Sequence, residues 1–274
     1  MKTVGLALGG GGAKGLAHIS ILRVLDRMGV DVVAISGTSI GAIVGAHYAA
    51  GHSGDAISDA VGDLLETPNS LQEMVDAERP FGWLDLLRVD FGKGYLLNVD
   101  RLIEEMRDTL GVQEFGALKT PLKLVAADFW DREEVVFSEG DLLTAIAASF
   151  CLPGIFPPVV RDGRVLVDGG SVNPVPFDLI RDDCDILIAV DVLGKRTPSE
   201  DLIPGTTEAL FNTLQIAEKT IANHKLMTHP PDIYLEPAIS DVKVLEFHKS
   251  ESIFEQAQPE CERLERELTR LLQD

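Results

Sequence analysis

Cysteine is scarce in this chain. The three cysteines, Cys151, Cys184 and Cys261, are far apart and include no Cys-x-x-Cys pair. Their odd number argues against a disulfide framework and their spacing against a zinc site. We therefore expect a reduced, cytoplasmic protein without a zinc site. As a separate prediction, we expect the protein to use no metal ion and no organic cofactor.

Long hydrophobic runs are also missing. No segment reaches the roughly 18 to 20 consecutive apolar residues that are needed to span a bilayer. The apolar run at the N-terminus, residues 3–8, stops at four glycines. It is therefore predicted to be a buried strand rather than a signal peptide.

Positive charge is in short supply. There are 24 lysines and arginines against 44 acidic residues, so the formal net charge is −20 at pH 7. Nucleic acid and strongly anionic membranes would on average be repelled. We expect no nucleic-acid partner and at most transient membrane contact. The composition leaves the oligomeric state open.

Apolar residues are plentiful and follow a regular order. They make up 45% of the 274 residues, which is enough to bury a sizeable core. Residues 3–8 read as a strand, followed by a glycine loop, a helix over 16–28 and a second strand over 31–35. Strand, loop, helix and strand form a βαβ unit, which predicts a parallel sheet with crossover helices.

The remaining chain continues in the same α/β style. Its helices are expected at 40–50, 56–66, 70–79, 99–110, 141–150, 207–228 and from 252 onward, with the last interrupted near Pro259. Its strands are expected at 122–128, 134–137 and 185–190, at 233–235, and in a hairpin over 159–167 around Asp162-Gly163. No linker, repeat or low-complexity segment is visible, so residues 1–274 are expected to form a single domain, with C-terminal helices over about 205–274.

One stretch, about 54–97, differs from the rest. It begins with helical patterns and continues into aromatic and leucine-rich sequence broken by glycines. One interpretation is a helical insertion that packs on the core. The other is a mobile cap that lines a pocket for an apolar substrate.

The sequence Gly37-Thr38-Ser39-Ile40-Gly41 follows the second strand and opens a helix. A serine on a sharp turn from strand to helix is exposed and close to a helix N-terminus, and the flanking glycines leave room for a strained backbone. Gly-x-Ser-x-Gly is a weak pattern by itself. In this context it predicts that Ser39 is a nucleophile.

The glycine loop Gly10-x-Gly12-x-x-Gly15 allows several interpretations. It matches the dinucleotide fingerprint, but the acidic residue expected at the end of the second strand for a ribose is absent. A P-loop would need Ser or Thr after a Gly-Lys pair, and Lys14 is followed by Gly15. The glycines could serve only close helix packing. Alternatively, the exposed N–H groups of Gly10, Gly11 and Gly12 could bind an oxyanion beside Ser39.

A nucleophilic serine needs a base. The histidines that follow in the usual hydrolase order, His224, His229 and His248, lie in no recognisable catalytic loop. Asp168 stands at the end of a predicted hairpin strand, and Gly169 and Gly170 after it allow close approach of another backbone. Taken alone, Asp168 could equally be a turn aspartate that bonds its own backbone.

Taken together, Gly10-Gly11-Gly12-Ala13-Lys14-Gly15, Gly37-Thr38-Ser39-Ile40-Gly41 and Asp168-Gly169-Gly170 resemble the patatin-like phospholipase family in identity, order and spacing. The segment 148–158 looks like the one that precedes Asp-Gly in bacterial members. The similarity covers residues 4–176. Lys14 stands where many members have arginine, so a bidentate contact made by that arginine would be lost.

The resemblance implies a three-layer α/β/α fold with a mainly parallel central sheet and a helical insertion. It also implies a Ser-Asp dyad without histidine. Ser39 would form an acyl-enzyme, Asp168 would act as the base, and the amides of Gly10 to Gly12 would hold the oxyanion, with Lys14, Gly15, Gly37, Gly41, Gly169 and Gly170 supporting the motifs.

The expected function is therefore hydrolysis of carboxylic esters of lipids, of the lipase, phospholipase A or lysophospholipase type, with a lipid or another acyl ester as substrate. An alternative is a catalytically silent member that binds a lipid or a protein partner. A dinucleotide-binding protein is less favoured, because the ribose acid is missing.

Overall fold

A computed structural model describes residues 2–66, 99–194 and 203–273 of the chain. The predicted helix over 70–79 and the aromatic segment 81–97 lie outside these ranges. Of the expected insertion, only its first helix is described.

The described strands form one mixed sheet. They are β1 Val4–Leu8, β2 Val32–Thr38, β3 Leu122–Asp128, β4 Glu133–Phe137, β5 Val159–Arg161, β6 Arg164–Asp168, β7 Ile186–Val190 and β8 Ile233–Leu235. Their order is β5-β6-β3-β2-β1-β7-β8, with β4 paired to β3. The pairs β1-β2, β1-β7, β2-β3 and β7-β8 are parallel, whereas β4 and β6 run antiparallel to β3 and β5 runs antiparallel to β6.

Helices cover both faces of this sheet, which explains why β1 and β7 are buried along their whole length. The described helices are α1 Ala17–Met28, α2 Ile40–Ala50, α3 Gly54–Glu66, α4 Val99–Leu110, α5 Leu142–Phe150, α6 Thr206–Thr228 and α7 Ser250–Gln273. The main core lies between the sheet and the layer that contains α1, α2, α5 and α7. A smaller core on the other face involves the 3-10 segment Phe177–Asp183 and α6.

The fold class predicted from the sequence is confirmed, because a helical layer lies on each face of a mostly parallel sheet. Local signals also placed several helix ends correctly. Gly29 ends α1 with φ 64°, and Asp141 caps α5 by accepting a hydrogen bond from the N–H of Leu143.

Two features depart clearly from the sequence prediction, whereas the other described boundaries agree within two residues. Strand β2 extends to Thr38 rather than Ile35, because it pairs with β3 up to its last residue. The predicted interruption near Pro259 is wrong, since α7 is assigned without a break from Ser250 to Gln273. Pro259 and Glu255, whose carbonyl loses its helical donor, are both exposed, so water can satisfy that carbonyl.

Candidate active site

Ser39 occupies a strained turn between β2 and α2. Its backbone has φ 56° and ψ −123°, a conformation that a non-glycine residue adopts only when its surroundings enforce it. The turn leaves no room for side chains on either side. A Cβ on Gly37 would lie 2.6 Å from the carbonyl oxygen of Gly41, and one on Gly41 would lie 2.1 Å from that of Leu8. The expected nucleophile-elbow geometry is therefore present.

Strands β2 and β6 reach the same side of β3 from opposite directions. Strand β2 pairs with β3 as far as Thr38 opposite Val125, and β6 pairs with β3 from Leu166 opposite Asp128 to Asp168 opposite Ala126. Because β4 occupies the other side of β3, the ends of β2 and β6 meet head-on. This arrangement brings Asp168 to the residue that follows β2, which is Ser39.

The side chains of Ser39 and Asp168 are in direct contact. Ser39 Oγ donates to Asp168 Oδ2 at 2.6 Å, and the N–H of Gly170 donates to Asp168 Oδ1 at 2.8 Å. Asp168 is only 5% exposed. Burial raises the pKa of Asp168 to about 6, and the hydrogen bonds from Ser39 and Gly170 limit the rise.

The glycine loop lies beside Ser39. A Cβ on Gly10 would lie 3.2 Å from Ser39 Cβ. The N–H of Gly10 donates to the carbonyl of Pro174 at 2.9 Å, so it is already engaged. In the described part of the chain, no acceptor meets the N–H of Gly11 or Gly12. Those two amides are the free donors of the loop.

His18 holds the base of this loop. Its Nε2 lies 2.8 Å from the carbonyl oxygen of Gly9. Burial lowers the pKa of His18 to about 4, so the ring is neutral at physiological pH and its Nε2–H donates to Gly9. Across residues 2–66, 99–194 and 203–273, no histidine forms a hydrogen bond with Ser39 or Asp168.

Lys14 is buried at the end of the loop rather than exposed to a ligand. It is 6% exposed, and its Nζ donates to the carbonyl of Leu193 at 2.8 Å. Burial lowers the pKa of Lys14, and the nearby charge of Asp191 counteracts this. The contact ties the glycine loop to the segment that follows β7.

A cleft opens above the dyad and the glycine loop. Ser39, Asp168 and Glu218 are among its polar lining residues. The walls are mainly apolar and include Phe150, Leu152, Ile155, Phe156, Phe211 and Phe247. The lining thus combines apolar walls with a polar centre, which is the usual character of a ligand-binding cleft.

A family model that matches this chain identifies its family. The model described as patatin-like phospholipase matches residues 6–180, a range that contains the elbow, the glycine loop and Asp168. The chain belongs to the patatin-like phospholipase family.

Relatives of this patatin-like chain occur in bacteria and animals. An uncharacterised NTE family protein of Mycobacterium tuberculosis is 33% identical over 213 residues, which are 77% of this chain and 55% of that protein. Patatin-like phospholipase domain-containing protein 6 of Mus musculus is 30% identical over 195 residues, 70% of this chain and 14% of that protein. The chain thus spans about half the length of the mycobacterial relative and a much smaller part of the mouse protein.

Solved structures support the patatin-like fold. The crystal structure of VipD from Legionella pneumophila aligns with a TM-score of 0.51 and 13% identity, covering 96% of this chain and 67% of that one.

Within the described ranges, no helix combines the length and the apolar character that crossing a bilayer would require.

Sequence reasoning missed two supporting residues of this patatin-like site. Ser149 accepts a hydrogen bond from the N–H of Ser39 at 2.9 Å. It lies in the segment 148–158 that carried part of the resemblance, but no spacing rule indicated this contact. Glu218 was missed completely, because a glutamate within a long helix usually faces solvent.

The segment 173–176 has a structural role beside the site. The carbonyls of Asn173 and Pro176 accept hydrogen bonds from the hydroxyls of Thr38 and Ser36, each at 2.8 Å. The carbonyl of Pro174 accepts from Gly10. These contacts connect the strand before the nucleophile to the loop after Asp168.

Proposed function

We propose that the chain is a serine acyl hydrolase that cleaves carboxylic esters of lipids with Ser39 and Asp168. The observation that carries this proposal is the 2.6 Å hydrogen bond from Ser39 Oγ to Asp168 Oδ2, at a residue held on a strained elbow. A serine with a base in hydrogen-bond contact is the arrangement that nucleophilic catalysis needs. The apolar walls of the cleft favour an acyl chain as the bound group.

In the first half of the proposed reaction, Asp168 takes the hydroxyl proton while Ser39 Oγ attacks the carbonyl carbon of the ester. The carbonyl oxygen becomes an oxyanion, which the N–H groups of Gly11 and Gly12 would stabilise. When the tetrahedral intermediate collapses, the bond to the alcohol oxygen breaks. Asp168 gives its proton to that oxygen, and the acyl group remains on Ser39.

In the second half, Asp168 takes a proton from water, whose oxygen attacks the acyl carbon. The bond to Ser39 Oγ then breaks, and the serine recovers its proton from Asp168. A pKa of about 6 for Asp168 suits both steps, because the group is ionised at neutral pH but can still hold a proton.

The experiment that tests this proposal combines fluorophosphonate labelling with hydrolysis of p-nitrophenyl butyrate, p-nitrophenyl palmitate and lysophosphatidylcholine. Wild-type protein should be labelled and should turn over esters. Ser39→Ala should lose labelling, and both Ser39→Ala and Asp168→Asn should lose turnover by at least about a thousand-fold. The exposed residues Ser138 and Asp131 provide the matched controls Ser138→Ala and Asp131→Asn, which should behave as wild type.

A different result would favour the alternative, a lipid-binding or protein-binding member without activity. If wild-type protein neither labels nor hydrolyses any of these esters, also with detergent present, the hydrolase proposal fails. The dyad assignment alone fails if esters are hydrolysed equally by Ser39→Ala.

A further inference from the structure

Glu218 on α6 is a buried carboxyl group that the proposed reaction does not use. It lines the same cleft as Ser39 and Asp168 and is 9% exposed. In the described part of the chain it has no hydrogen-bond partner and no ion-pair partner. A buried carboxyl group without such partners is costly to ionise.

The cation next to Glu218 in the chain is already engaged. Lys219, the following residue on α6, contacts Asp191 at 2.7 Å and Glu236 at 2.8 Å. The same contacts of Lys219 fix the rotation of α6, so that Glu218 faces the cleft.

The carboxyl groups of Glu218 and Asp168 approach one point. A Cβ on Gly170 would lie 2.6 Å from Glu218 Oε1 and 3.2 Å from Asp168 Oδ1. Among the described residues, the charges that act on Glu218 are those of Asp168 at the end of β6 and Asp191 after β7. Burial raises the pKa of Glu218 to about 8, and the charges of Asp168 and Asp191 add to the rise. Two adjacent carboxyl groups that titrate apart can take different roles.

We propose that Glu218 is a substrate-contacting residue whose carboxyl group donates a hydrogen bond to the alcohol oxygen of the bound ester. This inference rests on the proposed function. The carbonyl oxygen of the ester is assigned to Gly11 and Gly12, and the alcohol oxygen takes its proton from Asp168. It therefore lies on the side of the cleft where Glu218 stands beside Asp168.

The first test is the pH dependence of kcat/KM with glyceryl monobutyrate, an alkyl ester. Wild type should fall by about ten-fold between pH 7 and 9.5, the effect of losing one hydrogen bond to the reacting centre. The kcat/KM of Glu218→Gln should be about three-fold lower than that of wild type at pH 7, because an amide is a weaker donor. It should then stay constant up to pH 9.5, because the amide does not ionise. Glu218→Ala should be about ten-fold lower already at pH 7.

Two comparisons exclude a merely structural role. With p-nitrophenyl butyrate, whose leaving group needs little assistance, Glu218→Ala should lose less activity than with glyceryl monobutyrate. Glu208→Gln, at an exposed position of the same helix, should keep the wild-type profile. The proposal is overturned if kcat/KM falls equally between pH 7 and 9.5 in wild type and in Glu218→Gln.

The second test does not depend on activity. Carboxyl-labelled glutamate should give one carbon-13 signal that titrates near pH 8, absent in Glu218→Gln and present in Glu208→Gln. Its midpoint should move to lower pH in Asp168→Asn, since the neighbouring charge is removed. If no glutamate titrates above pH 7, the proposal for Glu218 is wrong even when the esterase activity is confirmed. Loss of the hydrolase proposal would instead appear as inactive wild-type protein with this signal intact.

Discussion

Ser39 and Asp168 are 129 positions apart in the chain, yet their side chains meet at 2.6 Å because β2 and β6 end head-on against the same side of β3. Asp168 stands opposite Ala126, and Thr38 stands opposite Val125, the neighbouring residue of β3. The serine and its base are thus positioned by the register of one central strand. Rigid strands hold such a pair more closely than two flexible loops could.

The first prediction concerns the charge of Asp168. Since burial raises its pKa to about 6, the free enzyme should lose kcat/KM as pH falls through about 6, where the base becomes protonated. A plateau that persists to pH 4 would contradict this role. Initial rates with p-nitrophenyl butyrate, between pH 4 and 8, measure it.

The same shift predicts a change in stability. A carboxylic acid whose pKa is raised in the folded state stabilises the fold fully below its ordinary pKa, and this contribution is lost as pH rises through the folded pKa. In Asp168→Asn this loss is absent. The free energy of unfolding of the variant, relative to wild type, should therefore rise between pH 4 and 6 and then level off. A shift from 3.8 to about 6 corresponds to about 3 kcal/mol. Urea unfolding at several pH values tests the trend, and an advantage equal at all pH values would contradict it.

The third prediction concerns Ser149, which supports the strained backbone of Ser39. Ser149→Ala would leave the N–H of Ser39 buried without its acceptor, which should lower the free energy of unfolding by about 1–3 kcal/mol. It should also lower kcat more than it changes KM, because the elbow would be held less firmly. Urea unfolding and steady-state kinetics measure both effects. Ser138→Ala, at an exposed serine, is the control, and identical behaviour of the two variants would refute the role.

The fourth prediction concerns the packing of α2 against β1. Gly41→Ala would place a Cβ 2.1 Å from the carbonyl oxygen of Leu8, so the helix must move. We expect a loss of stability of about 3 kcal/mol or more together with loss of activity. At Gly116 a Cβ would meet no atom within 4 Å, so Gly116→Ala should change stability by less than about 0.5 kcal/mol. Thermal unfolding of both variants provides the measurement.

The fifth prediction concerns the three thiols. Burial raises the pKa of Cys151 to about 12 and that of Cys261 to about 11, and it also raises the pKa of Cys184. Because the thiolate is the reactive form, iodoacetamide at pH 8 should leave the native protein active while a fluorophosphonate inactivates it. Mass spectrometry should find three alkylated cysteines only after denaturation. Inactivation by iodoacetamide at a comparable rate would point to thiol chemistry instead.

Local sequence patterns were sufficient to predict most of the described elements and their local chemistry. Alternating glycines fixed the turn at Ser39, apolar runs marked the strands, Asp162-Gly163 predicted the β5-β6 hairpin, and the first βαβ unit predicted parallel pairing. These features depend on backbone sterics and on side-chain periodicity over a few residues, and both can be recognised in the sequence.

Which of these groups meet depends on contacts between distant segments. The antiparallel approach of β6 to β3 brings Asp168 to Ser39, and the packing of α6 places Glu218 in the same cleft. Gly10 is engaged with Pro174, whereas no acceptor among the described residues binds the N–H of Gly11 or Gly12. Such contacts depend on strand register and helix rotation between segments far apart in sequence. No local preference encodes them, because they follow from the way the whole core is packed.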